Sequence, residues 1–296
     1  MDRKDRNDLD FVIDSLLRGA KDVSSIEVLP LHYSTVTDDQ LAILKNTPRL
    51  KALFLDGTVV TDQGLAYVEG LPHLETISLD DTRVTDAGLA HLRDFNALRY
   101  LSLSNTSITL RGMEALESLT SITRLYLNHT RFDDSWALVL RHFAKLELLA
   151  VAETMISSAG LAVLTELSHL RYLNLDDTAI GDDGLDYLTR CAALEDVSLS
   201  GTAIYGSHVG HPWESALLKK LNLSRSRVDD AGIVLLRGLN ALESLDLSDT
   251  VISDAGLRQL KDLPRLGWVD VQGTRVTLAG IQDTLLNCEV EWVPNS

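Results

Sequence analysis

The residue types best placed for bond-making chemistry sit together in one short segment, Tyr205 to Ser215, which reads YGSHVGHPWES. His208 and His211 can each offer a ring nitrogen to a metal ion, with Tyr205 and Trp213 beside them as contact surface. A protein metal site draws three or four ligands, however, and no cysteine or carboxylate falls at a spacing that completes a ligand motif. Pro212 also falls where a core leucine should stand, so the segment reads as an irregular contact loop, with an enzyme site near His208 and His211 as the competing possibility. The eight histidines of the chain are scattered over different units, the serines have no recurring His or Asp context, and no phosphate-cradling loop appears. The expectation is a protein with no catalytic residue, no metal and no cofactor.

A second pattern could be mistaken for chemistry. Asp38, Asp62, Asp86, Asp134, Asp182, Asp230 and Asp254 are separated by 24 residues or by twice that. Acids so spaced cannot converge on one ion. Each stands at the start of a short helical pattern, where the positive end of the helix favours a carboxylate pointing outward.

That interval organises the whole chain. Units begin at Ile26, Leu50, Leu74, Leu98, Ile122, Leu146, Leu170, Leu194, Leu218, Leu242 and Leu266, without insertion or deletion. In the unit LETISLDDTRVTDAGLAHLRDFNA, the alternation around Ile77 and Leu79 is that of a strand with one buried face, while Leu89 and Leu92 stand three apart as on one helix face. Thr85-Asp86 between them supplies a helix start. One such unit cannot bury its apolar face alone, so neighbouring coils must stack, strand beside parallel strand. After each strand comes a hydroxyl, at Thr58, Thr82, Thr106, Thr130, Thr154, Thr178, Thr202, Thr250 and Thr274, with Ser34 and Ser226 completing the column. These predict a buried ladder bonded to the backbone of the adjacent coil.

The pattern L-x-x-L-x-L-x-x-T-x-[IV]-T-D-x-G-L-x-x-L resembles the leucine-rich repeat family over residues 26 to 289, and its T-D-x-G-L stretch is similar to the subclass in F-box substrate adaptors and in many bacterial arrays. The resemblance implies an α/β solenoid, a right-handed β-α horseshoe with a parallel concave sheet and short helices on the convex side. It implies a binding scaffold but no particular task, since receptors, inhibitors, adaptors and effectors share it. Residues 1–25 are expected to be an amino-terminal helical cap, too short for an F-box domain; 26–289 form eleven repeats, and 290–296 a closing strand that places Trp292 in the column of Trp268. In the fifth unit Trp136 and Ala137 replace the usual Gly and Leu, which reads as an exchange of volume within the helix layer.

A net charge of -16 argues against a nucleic-acid surface. Neither a signal-peptide pattern nor a run of membrane-spanning length occurs, and there are two cysteines, Cys191 in a core position and Cys288 in the last unit. A cytoplasmic, monomeric protein is expected, one that binds a protein partner through the strand side chains facing away from the core. On that face the expected centre is Tyr100, Arg124, Tyr126 and Tyr172, with Phe54, Trp268, Arg131 and Asp176 around it and acids such as Asp56 and Asp80 alongside. A dedicated effector, an inhibitor or immunity protein, and a ubiquitin-ligase substrate adaptor are alternatives that share this sequence signature.

Overall fold

The computed structural model describes residues 23–206, 216–284 and 288–293. Residues 1–22 of the cap expected over 1–25, and His208, His211 and Trp213, lie outside the described residues. Two compact units result: the first is Met1–Phe132 with Val139–Leu146, the second Asp133–Leu138 with Glu147–Ser296.

The first unit holds strands β1 (Val28–Pro30), β2 (Ala52–Phe54), β3 (Thr76–Ser78), β4 (Tyr100–Ser102) and β5 (Arg124–Tyr126), and the second β6 (Leu148–Ala150), β7 (Tyr172–Asn174), β8 (Asp196–Ser198), β9 (Lys220–Asn222), β10 (Ser244–Asp246), β11 (Trp268–Asp270) and β12 (Glu289–Glu291). Within each unit the strands pair in parallel with their sequence neighbours. The repeat sets the register, pairing Ala52 with Thr76, Thr76 with Tyr100 and Tyr100 with Arg124. Each strand from β1 to β11 buries its middle residue, as Leu53, Ile77, Leu101 and Leu125 show, and turns its two flanking side chains the other way. Behind the strands run single helical turns such as Asp62–Leu65 and Asp86–Leu89, which tighten into 3-10 turns at Ala66–Val68 and Ala90–Leu92. In the coils at Asp39–Asn46, Ser158–Glu166 and Gly232–Leu236 the turn is 3-10 throughout.

The last coil breaks the period. Trp268 pairs with Glu289 and Val269 with Val290, an offset of 21 residues. Glu289, not Trp292, therefore continues the column of Trp268, and the indole Nε1 of Trp292 instead donates to the Val276 carbonyl at 3.0 Å.

The hydroxyl ladder is buried but runs within coils. Thr58, Thr82, Thr130 and Thr178 each donate to the carbonyl three residues earlier, on Leu55, Leu79, Leu127 and Leu175, at 2.5 to 2.7 Å. The main-chain turn after the strand brings that carbonyl nearer than anything on the next coil. Links between coils fall instead to the aspartates, which do not point outward. Oδ1 of Asp62 accepts the Thr85 amide at 2.7 Å and Oδ2 accepts the Thr85 hydroxyl at 2.7 Å. Asp38 grips Thr61, Asp86 grips Thr109, Asp134 grips Ser157, Asp230 grips Ser253 and Asp254 grips Thr277 in the same way. Each carboxylate thus clasps the helix start of the following coil.

The clasp also explains the glycine of T-D-x-G-L. A Cβ built on Gly160 would lie 2.5 Å from Oδ1 of Asp134, and one on Gly256 2.5 Å from Oδ1 of Asp230, so the carboxylate occupies the space a side chain would need. Asp230 shows the electrostatic side: burial pushes its carboxyl up, but the Ser253 hydroxyl, the Ser253 and Gly256 amides and Arg275 outweigh it and hold it below the ordinary value. Between the sixth and seventh coils the parts are exchanged. Ser158 stands at the aspartate position, accepts the Gly181 amide at 3.1 Å and donates to Asp183 at 2.7 Å. Trp136, at a glycine position, is buried, as is Ala137 beside it, in keeping with an exchange of volume. Cys191 is buried too, which pushes its thiol up to about 12, and both cysteines are free.

Candidate functional site

On the outward face of the first unit, residues from β2 to β5 and the positions just after them form three columns in register: Ala52, Thr76, Tyr100, Arg124; Phe54, Ser78, Ser102, Tyr126; and Asp56, Asp80, Ser104, Asn128. The register brings Tyr100 and Tyr126 together across the β4–β5 pair, ring centroids 5.2 Å apart at 38°. Both rings are half-buried and so partly open to solvent. Burial pushes the Tyr100 phenol up to about 12, with Tyr126 and Asp80 adding to the rise, and burial also raises Tyr126 while Arg124 opposes it. Both hydroxyls are therefore neutral at physiological pH.

Asp80 is near enough to this pair for its charge to raise both phenols. It accepts the Ser102 hydroxyl at 2.5 Å and the Ser104 amide at 2.6 Å, which orients it across the strand. Asp56 repeats the arrangement one coil earlier, accepting the Ser78 hydroxyl and, at 3.2 Å, the Asp80 amide. Burial raises the Asp80 carboxyl above its ordinary value; the Ser102 and Ser104 bonds oppose the rise, and the charges of Asp56 and Asp81 add to it. Such a group costs stability when ionised. The cost is absent at pH values below the ordinary carboxylate range and grows as pH rises towards the folded-state value. Asp80→Asn, which keeps an acceptor for Ser102 and Ser104, is therefore expected to unfold at higher denaturant than wild type at pH 7, with the two midpoints converging near pH 3.

Phe54 sits edge-on to His32 at 6.4 Å on the same face, and Arg131 is exposed beyond the strand. Tyr172 belongs to the second unit, where it is exposed with the Arg171 guanidinium 5.7 Å from its ring. Trp268 is half-buried on β11. Asp176 works within the sheet, accepting the Ser198 hydroxyl at 2.5 Å and the Ser200 amide at 2.9 Å. Tyr205 bonds through its hydroxyl to Arg227, whose guanidinium lies 5.4 Å from its ring. Asp80 and Ser102 were not in the expected centre; the signal for them was the recurrence of Asp at the same repeat position in Asp56 and Asp80.

Away from the strand face, a groove of about 640 Å³ is bounded by Gly70, Pro72, His91, Arg93 and Phe95. In it His91 Nδ1 lies 2.6 Å from Glu69. No nucleophile completes a catalytic constellation there. Among the described residues no three His, Cys, Asp or Glu side chains gather to hold a metal, and no helix is long and apolar enough to cross a membrane.

Profiles of the leucine-rich repeat family match residues 72–132, and again residues 166–188 and 239–260. No curated protein is similar enough in sequence to count as a relative. Among solved structures, an internalin (InlF) from Listeria monocytogenes superposes with a TM-score of 0.71 at 18% identity, over 98% of this chain and 95% of its own. A chain of the mouse RP105/MD-1 complex superposes with a TM-score of 0.66 at 17% identity, over 90% of this chain and 47% of its own. At such identities the likeness is one of fold, a stack of strand-and-turn coils, and with the matched profiles it establishes that the chain is a leucine-rich repeat protein.

Proposed function

We propose that the protein is a non-enzymatic module that binds a protein partner, with the outward strand face of the first unit as its principal contact surface. Proteins of this family commonly bind other proteins, and one of the similar folds is seen in a protein complex. The observation that carries the reading is the tilted Tyr100–Tyr126 ring pair, which leaves two large amphipathic rings half-open on a face whose other residues are mostly small and polar. Tyrosines in such positions are favoured anchors of interfaces, because they contribute large contact area for the loss of few rotamers. The free cysteines fit a reducing compartment, and the protein is proposed to be cytoplasmic and monomeric, without metal or cofactor.

The test is capture of the partner from lysate of the source organism with wild type and with Tyr100→Ala/Tyr126→Ala, followed by measurement of its affinity for each. Removing two central aromatic anchors costs about 2 kcal/mol or more apiece, so affinity should fall at least 100-fold while the melting profile stays that of a folded protein. Equal affinity for both proteins overturns the assignment.

A further inference from the structure

Resting on that reading, we infer that the partner presents a lysine or arginine side chain to the Tyr100–Tyr126 pair, carried on an otherwise apolar segment, with Asp56 and Asp80 as its counter-charges.

Charge complementarity is the first argument. In the three outward columns of β2 to β5 the charged residues are Asp56, Asp80 and Arg124. The two carboxylates are neighbours in register, held by neutral donors alone: hydroxyls of Ser78 and Ser102 and amides of Asp80 and Ser104. Among the described residues neither makes an ion pair, and the charges acting on Asp80 are those of Asp56 and Asp81, both negative. Arg124 acts on Tyr126 and is not among the charges acting on Asp80. A half-buried carboxylate pair with no cation lowers its energy when one arrives from outside.

The second argument is the ring pair itself. Tyrosine faces attract cations through their quadrupole, more strongly once water is excluded, and protonated phenols add no competing negative charge. A Lys or Arg head laid on these rings also lies against Asp80, so ring attraction and ion pairing act on one group. The third argument is the rest of the face: Val28 and Pro30 are exposed on β1 and Phe54 is half-exposed on β2. These favour an apolar neighbour sequence around the cation. A nucleic acid, with its row of phosphates, would meet two carboxylates for one guanidinium.

The experiment measures fluorescence anisotropy of two labelled octapeptides, one alternating leucine and lysine, the other alternating leucine and glutamate. The lysine peptide should bind the full-length protein at least tenfold more tightly than the glutamate peptide. Asp56→Asn/Asp80→Asn should weaken it about five- to tenfold, whereas Asp94→Asn/Glu114→Gln, which removes the same charge away from the strand face, should change it less than twofold. Both Asn side chains keep acceptors for the serine hydroxyls, and a melting curve verifies that the fold survives. Preference for the glutamate peptide, absence of binding, or equal weakening by both double variants overturns the inference. A captured partner lost on Tyr100→Ala/Tyr126→Ala but unaffected by Asp56→Asn/Asp80→Asn would overturn it while leaving the binding face intact.

Discussion

Replacing Gly88 by alanine should destabilise the protein by roughly 3 kcal/mol, although alanine is the better helix former and the residue lies in a helical turn. The new Cβ would fall well inside van der Waals contact of Asp62 Oδ1, with Leu65 Cδ1 and Val84 Cγ1 each 3.1 Å away to block a retreat. The carboxylate must then swing off Thr85, giving up bonds to its amide and hydroxyl worth about 1 kcal/mol each, in addition to the strain of overpacking. Urea unfolding followed by circular dichroism measures the loss. Asp62→Ala should itself cost roughly 2 kcal/mol, but adding Gly88→Ala to it should cost little more, since the clashing group is gone. Additive losses in this double-mutant cycle would show that the glycine serves some purpose other than admitting the carboxylate.

The opposite substitution at the equivalent position of the fifth repeat should be as damaging. Trp136→Gly deletes a buried indole in a helical turn and leaves a cavity, and such truncations cost about 3–5 kcal/mol, with about 1 kcal/mol more for glycine in a helix. The preceding repeat carries Leu110 where others carry the clasping aspartate, so by sequence no carboxylate demands a glycine at Trp136. Restoring the repeat consensus here should therefore lower the unfolding midpoint, and Trp136→Phe should recover more than half of the loss. A neutral Trp136→Gly would mean that the indole contributes no packing.

How much of this could be read from sequence depended on what periodicity encodes. The spacing of Ile77, Leu79, Leu89 and Leu92 reports which side chains are buried, and the buried core follows it. Periodicity does not say where a hydrogen bond goes. Thr82 has a carbonyl of its own coil and a neighbouring coil within plausible reach, and only the geometry of the turn selects Leu79. Asp86 at a helix start looks the same whether it faces its own helix dipole or bonds to Thr109. The fixed period also misled at the end of the chain, since a coil three residues shorter still places Val290 beside Val269. For the candidate site, Tyr100 and Tyr126 were legible because register alone makes them neighbours.

The clasps also bear on how such a chain can change length. Wherever a coil offers a capping hydroxyl to the coil before it and an aspartate to the coil after it, as those beginning at Leu50 and Leu74 do, the coils are chemically interchangeable, so a duplicated or excised 24-residue block meets the same partners it left. The joint where Ser158 meets Gly181 and Asp183 is keyed differently. A Gly181 coil placed behind an ordinary aspartate would offer no hydroxyl and would bring Asp183 towards a second carboxylate. The sixth and seventh coils therefore form a matched pair that must be inherited, deleted or transplanted together.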